Sequence, residues 1–222
     1  VFHRRLTTLV VGAAAALELS FSYQGQGDVR QRGQIAGGAD GPLARHERAG
    51  VVRQQLELET AEELAAADLV VLAVKPQILS EVCKPLASLV QQTRPLVISI
   101  AAGVRARDIE SWLGGNLPVV RVMPNQPALM RLGISGLYAN EHTSEHQLRA
   151  ATNIISTTGP VIMVSSEEDI DTVTAVSGTG PAYFYLLVDM LVKVGVDLGL
   201  AYDDALTLVL ETARGAGEMA EQ

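Results

Sequence analysis

The sequence predicts an α/β fold: a parallel sheet domain flanked by helices, followed by an all-helical domain. Two observations carry this. Short uninterrupted apolar runs recur through the middle of the chain, separated by stretches of helical periodicity. Such runs mark strands covered on both faces, and their alternation with helices marks a parallel sheet. Beyond Ser166 the runs stop and only helical patterns remain. The boundary therefore falls near Ser165, giving domains of residues 1–165 and 166–222, with residues 1–50 atypical of the first and the second incomplete.

Taken in order, Thr60 caps a helix over residues 61–67, with Glu62 and Glu63 in a first turn that favours carboxylates. Asp68 ends it. Leu69-Val70-Val71-Leu72-Ala73-Val74 is a buried strand, broken by Lys75-Pro76-Gln77, and residues 78–89 are helical. Leu96-Val97-Ile98-Ser99-Ile100 is the next strand, closed by Ala101-Ala102-Gly103; a helix over residues 107–113 stops at Gly114-Gly115. Val119-Val120-Arg121-Val122-Met123 runs into Pro124-Asn125-Gln126-Pro127. Gly136-Leu137-Tyr138-Ala139 is a fourth strand, residues 144–157 a helix, and Val161-Ile162-Met163-Val164 the last strand. Residues 167–176, 181–198 and 203–219 read as helices, the last capped by Asp203 and Asp204 and striped by Leu206, Leu210, Ala213 and Ala220. Residues 181–198 carry Asp189 and Lys193, and read as a buried packing helix rather than a membrane span.

Composition narrows the function. At 222 residues and 48% hydrophobic, the chain can bury a substantial core. A formal charge of −8 and the lack of a basic stripe exclude a nucleic-acid partner. Cys83 is the sole cysteine, so neither a disulfide framework nor a cysteine-built zinc site is available, and a reducing cytoplasm is the natural setting. Of His3, His46, His142 and His146 only the last two share helical spacing, without a third ligand, so no metal is expected. Residues 1–16 place basic residues before an alanine-rich run but lack a cleavage pattern, so export is not expected.

In open α/β sheets ligands bind beyond the carboxyl ends of the strands. Three such ends carry polar or small residues: Val74-Lys75-Pro76-Gln77, Ser99-Ile100-Ala101-Ala102-Gly103 and Met123-Pro124-Asn125. Lys75 offers a positive charge for phosphate or ribose. Ala101, Ala102 and Gly103 let a flat ring approach the backbone, and Asn125 both donates and accepts. Singly each is an ordinary βα turn; three in consecutive units make a cofactor cleft. Val176-Ser177-Gly178-Thr179-Gly180-Pro181-Ala182-Tyr183 then precedes a long apolar helix. Pro181 suits a first helical position, Ser177 and Thr179 can cap it, and the glycines permit close approach. The stretch reads either as a glycine-rich cap or as a helix N-terminus open to a small carboxylate.

In this order and spacing, Ala73-Val74-Lys75-Pro76-Gln77, Ser99-Ile100-Ala101-Ala102-Gly103, Arg121-Val122-Met123-Pro124-Asn125 and residues 175–183 resemble the pyrroline-5-carboxylate reductase family, over about residues 60–219. The resemblance implies a Rossmann-like domain followed by a helical dimerisation domain in a cytoplasmic homo-oligomer. It implies hydride transfer from NADPH or NADH to the C=N bond of 1-pyrroline-5-carboxylate, giving L-proline in the last step of proline biosynthesis. It places Gly12, Thr60, Ala73, Val74, Lys75, Pro76, Ala101, Ala102, Gly103 and Asn125 on the cofactor, with Ala102 beside the nicotinamide. It places Glu167, Ser177, Gly178, Thr179 and Gly180 on the substrate. No side-chain acid or base is assigned; water or a nearby hydroxyl supplies the proton.

The chain departs from the family at both ends. In Leu9-Val10-Val11-Gly12-Ala13-Ala14-Ala15-Ala16 only Gly12 fits the pyrophosphate loop; Ala14 stands where a second glycine belongs, and its Cβ would press on the pyrophosphate. Residues 18–41 lack periodicity, as expected of a segment translated out of frame and restored between residues 39 and 51, or of a divergent cofactor loop. Resequencing of the coding DNA separates the two. Thr60 and Gln126 replace the family's usual Asn and Thr, and the chain stops at Gln222 before the family's hydroxyl-rich substrate turn. Two other readings remain. One is a non-catalytic or damaged dinucleotide-binding module. The other is a β-hydroxyacid or ketopantoate dehydrogenase, which needs a lysine acid/base where this chain has just Lys193, a surface charge by its position.

Overall fold

The computed structural model describes residues 8–11 and 66–221. Gly12, Thr60, most of the helix expected over residues 61–67 and the stretch 18–51 lie outside them. The sheet domain contains β1 (Thr8–Val11), β2 (Leu69–Leu72), α1 (Pro76–Thr93), β3 (Leu96–Ser99), α2 (Ala106–Trp112), β4 (Val119–Pro124), β5 (Ser135–Ala139), α3 (Glu145–Ile155) and β6 (Val161–Met163). They form one six-stranded sheet in the order β1-β2-β3-β4-β5-β6. β1 to β4 are mutually parallel, so their carboxyl ends share one edge.

The apolar runs form strands because alternate side chains enter cores on opposite faces. Val70, Leu72, Val97 and Val119 pack with Leu79, Cys83 and Val90 of α1 and Ile109 of α2. Leu69, Val71, Leu96, Ile98, Val120 and Val122 pack with Ala151 and Ile155 of α3. α1 begins at Pro76, two positions before the expected start, because proline needs no amide partner at the first turn. At α3, Ser144 and Gln147 form a capping box, Gln147 N–H donating to Ser144 Oγ at 3.3 Å.

The sheet is not wholly parallel. β5 runs antiparallel to β4, with Arg121 opposite Tyr138. The connection between them holds only a 3-10 turn, Gln126–Met130, and a parallel return needs a longer crossover. β6, reached through α3, is parallel to β5 again.

The second domain contains α4 (Asp169–Val173), a π-turn (Thr174–Gly178), α5 (Gly180–Asp197) and α6 (Tyr202–Ala220). Three expectations change here. The helix expected to end at residue 176 runs through the π-turn into α5, making a nearly continuous rod over Asp169–Asp197. Asp203 and Asp204 lie in the first turn of α6, facing the positive end of its dipole, while Ala201 occupies the cap without a side-chain bond. α5 is not buried: Tyr183, Leu186, Leu187, Met190 and Leu191 are exposed, and Phe184 is 68% exposed. α6 covers one side alone, where a Cβ on Gly195 would lie 3.0 Å from Ala205 Cβ. By length and composition, with a mean hydropathy of 1.2 over an 18-residue window, this rod is also apolar enough to cross a membrane.

Burial pushes the Cys83 thiol up from 9.0 to about 12. The thiol thus stays protonated in the folded chain while the unfolded chain ionises near 9.0, so its stabilising contribution is full below that pH and is lost between pH 9.0 and about 12. Thiol reagents are expected to leave native Cys83 unmodified at neutral pH and to label it on unfolding in denaturant, as mass spectrometry of the alkylated chain would show.

Candidate active site

Three loops leave the shared carboxyl edge of β2, β3 and β4. After β2, Ala73 and Val74 are half-buried, Val74 packing on the core, while Lys75 is exposed as the cap residue of α1. After β3, Ile100 N–H donates to Leu72 O at 3.2 Å, tying this loop to β2. The buried Ala101 donates its N–H to Ser99 Oγ at 3.3 Å. Ala102 and Gly103 are exposed; Gly103 has φ of +72°, and nothing lies within 4 Å of where a Cβ would stand. This stretch is therefore a small-residue shelf with open space above it.

Asn125, just past β4, joins the domains. Its Oδ1 accepts from Ile134 N–H at 3.0 Å, and its Nδ2 donates to Ser177 Oγ at 3.3 Å. A cleft of about 350 Å³ opens beside this contact, lined by Asn125, Pro127, Ser177, Gly180, Pro181 and Phe184 among others. Gly178 lies against the end of the Met123 side chain, which would have to shift to admit a Cβ there.

The start of α5 differs from the capped N-terminus that the sequence suggests. Thr179 is itself helical and forms no side-chain cap. Its N–H donates to Thr174 O at 2.9 Å, and its hydroxyl bonds Ala175 O at 2.9 Å, so both groups close the π-turn. A π-turn inserts one residue into a helix and often accompanies a functional site. Here it presents Ser177 and Gly180 to the cleft, while Thr179 stays exposed and engaged with backbone.

Glu167 stands apart from the cleft lining. Its Oε1 accepts from Ala106 N–H, the first residue of α2, at 2.5 Å, and from Arg121 Nη1 at 2.8 Å. Arg121, 3% exposed on β4, was missed as a site residue. The available signal was a lone arginine inside an apolar strand, which demands a partner. Arg105 pairs with Glu168 at 2.8 Å; this bond holds the Glu168 carboxyl below its ordinary value and raises the guanidinium. Tyr138, opposite Arg121, is raised first by burial and then by Glu167, Glu168 and Glu141. Among the described residues no group of three or more His, Cys, Asp or Glu could hold a metal, and His142 lies 3.2 Å from Glu110. Lys193 pairs with Asp197 at 2.6 Å on an exposed face, as expected of a surface charge.

Known proteins share the sequence pattern and the fold of this chain. Residues 167–222 match the family model described as pyrroline-5-carboxylate reductase dimerisation. Residues 29–103 match that described as NADP oxidoreductase, coenzyme F420-dependent. The pyrroline-5-carboxylate reductase of Pseudomonas aeruginosa is 45% identical over 187 residues, 84% of this chain and 68% of the relative. The chain belongs to the pyrroline-5-carboxylate reductase family. The Vibrio alginolyticus reductase is 41% identical over 69% of this chain, and the chain spans 56% of that relative. Among solved structures, the Coxiella burnetii pyrroline-5-carboxylate reductase aligns with a TM-score of 0.68 at 42% identity, over 72% of this chain and 59% of that one. The Plasmodium falciparum pyrroline carboxylate reductase, solved with NADP bound, aligns with a TM-score of 0.68 at 32% identity, over 73% and 61%. The chain thus spans little more than half of several of its relatives.

Asn125→Ala removes the acceptor of the Ile134 N–H and the donor to Ser177 together, and is expected to cost about 1–3 kcal/mol in urea unfolding. Ser177→Ala removes the cross-domain bond alone and is expected to cost under about 1 kcal/mol.

Proposed function

We propose that this chain carries the reductase chemistry of its family: reduction of the C=N bond of 1-pyrroline-5-carboxylate to L-proline with NADPH or NADH. The observation that carries the proposal is the Asn125–Ser177 contact, which sets the cofactor edge of the sheet beside the turn at residues 177–181. The dinucleotide fits that edge: Ala102 and the positive-φ Gly103 leave open space over the backbone, and Lys75 is an exposed cation at the adjacent strand end. Ala73, Val74, Lys75, Pro76, Ala101, Ala102, Gly103 and Asn125 would hold it, and when bound it supplies the hydride. Gly12 and Thr60, the other cofactor residues expected, lie outside the described residues.

On the substrate side, Ser177, Gly178, Thr179 and Gly180 shape the cleft wall or the turn behind it, and Glu167 adds a carboxylate at the domain junction. Reduction at carbon leaves the imine nitrogen needing a proton. Ser177 suits that task, because its Oγ accepts from Asn125 Nδ2 and keeps its own hydrogen to donate toward the cleft. Thr179 suits it less, since its hydroxyl already bonds the π-turn carbonyls. The remaining contribution is orientation: a rigid sheet edge and a helix held against it fix the reacting groups in register.

The exposed apolar side of α5 calls for a second copy of the chain, and the match of residues 167–222 to a dimerisation domain supports that reading over a membrane. The net charge of −8 speaks against nucleic acid. The buried, unpaired Cys83 suits the cytoplasm.

With pyrroline-5-carboxylate, the chain is expected to consume NADPH and form proline, with no turnover of ketopantoate. NADPH binding without turnover of either would instead support the non-catalytic module. In sedimentation velocity the chain is expected to run as a dimer or larger, and Leu187→Glu, on the exposed face, to weaken association by at least about tenfold.

A further inference from the structure

Arg121 does not line the cleft, yet it is the one charged side chain among the buried polar residues described. It lies opposite Ser99 on β3 and Tyr138 on β5, so the three form one row across the sheet. The loop over residues 101–105 is anchored at both ends from this row. At its start, Ala101 N–H donates to Ser99 Oγ. At its end, Arg121 holds Glu167 at 2.8 Å, and the same Glu167 oxygen accepts the Ala106 N–H at 2.5 Å. α2 has no side-chain cap of its own at Arg105, so Glu167 caps it from the neighbouring domain. Arg105 and Glu168 add a second, more exposed tie at the same place.

We propose that Arg121 is a positioning residue: through Glu167 it fixes the loop over residues 101–105 against the helical domain, setting the distance between the small-residue shelf and the cleft. A single carboxylate oxygen serves both bonds, so releasing it from Arg121 frees the start of α2 as well. The loop presents the surface assigned to the cofactor ring, and in this respect the inference rests on the reductase reading. Cofactor affinity has other sources along the edge, Lys75 among them. Loss of Arg121 therefore disturbs the alignment of reactants more than the binding of NADPH.

The test uses the full chain with Arg121→Met, which keeps the buried volume, and Arg121→Lys, which keeps the charge. Amide exchange read by NMR is expected to quicken at Ala106 by at least about tenfold in Arg121→Met while Val97 and Ile98 of β3 keep their protection. In the same variant kcat is expected to fall by at least about tenfold with KM for NADPH within about threefold, and Arg121→Lys to recover part of both. Unchanged exchange at Ala106, or a loss of protection shared equally by Val97 and Ile98, would overturn the proposal. If the parent chain itself turns over no imine, the reductase reading fails, and the exchange measurement still decides whether Arg121 holds the loop. If Arg121→Met does not fold, Glu167→Gln replaces it: the amide keeps an acceptor but loses the charge that holds Arg121, and the same quickening at Ala106 is expected.

Discussion

A full positive charge inside a β-sheet is the constraint around which this structure is arranged. Removing a guanidinium from water costs several kcal/mol unless a well-placed anion and further hydrogen bonds compensate it. Arg121 meets that demand with Glu167, which begins the helical domain. The pairing can form only if the chain, on leaving β6, folds back over the carboxyl side of the sheet. That return brings the π-turn down onto Met123 and Asn125, and the cleft forms where they meet. Glu167 also completes the start of α2, so one carboxylate links the sheet, the loop after β3 and the second domain.

The reversal between β4 and β5 supports the same junction. A short 3-10 connection sends β5 back antiparallel, and Asn125 braces that connection by accepting the Ile134 N–H. Close backbone approaches make the bracing possible. At Gly159, φ is +140° and a Cβ would stand 1.9 Å from Gly133 O, so no other residue fits without displacing the chain. At Gly136 a Cβ would press on Val173 of α4, which lies across β5. Gly136 thus lets α4 pack directly on β5.

The apolar faces of α5 and α6 pull in another direction. Burying a leucine or phenylalanine side chain is worth roughly 1.5–3 kcal/mol, and α5 leaves Phe184, Leu186, Leu187, Met190 and Leu191 exposed. Among the described residues nothing covers them. A helical pair so apolar and so exposed is a half-core, as in an interface that forms together with its partner. The domain that supplies Ser177 and Gly180 to the cleft is also the one left open on its other side.

Much of this was legible locally. Continuous apolar runs identify strands buried on both faces, and β2, β3 and β4 lie where those runs lie. Pro76 and Gly114-Gly115 mark helix limits because their backbone preferences act within a turn. The family was legible from four short stretches in fixed order, confirmed by the match to the Pseudomonas aeruginosa reductase. Local pattern could not reveal the direction of β5, which depends on the length and shape of a connection. Nor could it show that residues 174–178 continue a helix rather than break it, since glycine and threonine permit either. The Arg121–Glu167 bond spans 46 positions, and no periodicity reports a pairing at that range. The sequence by itself determined where most strands and helices lie and which family the chain belongs to, because propensity, burial pattern and short motifs act over a few residues. Only the tertiary structure decided that a sheet arginine, a domain-linking glutamate and a helix start share one carboxylate oxygen, because desolvation and charge pairing act between segments far apart in the chain.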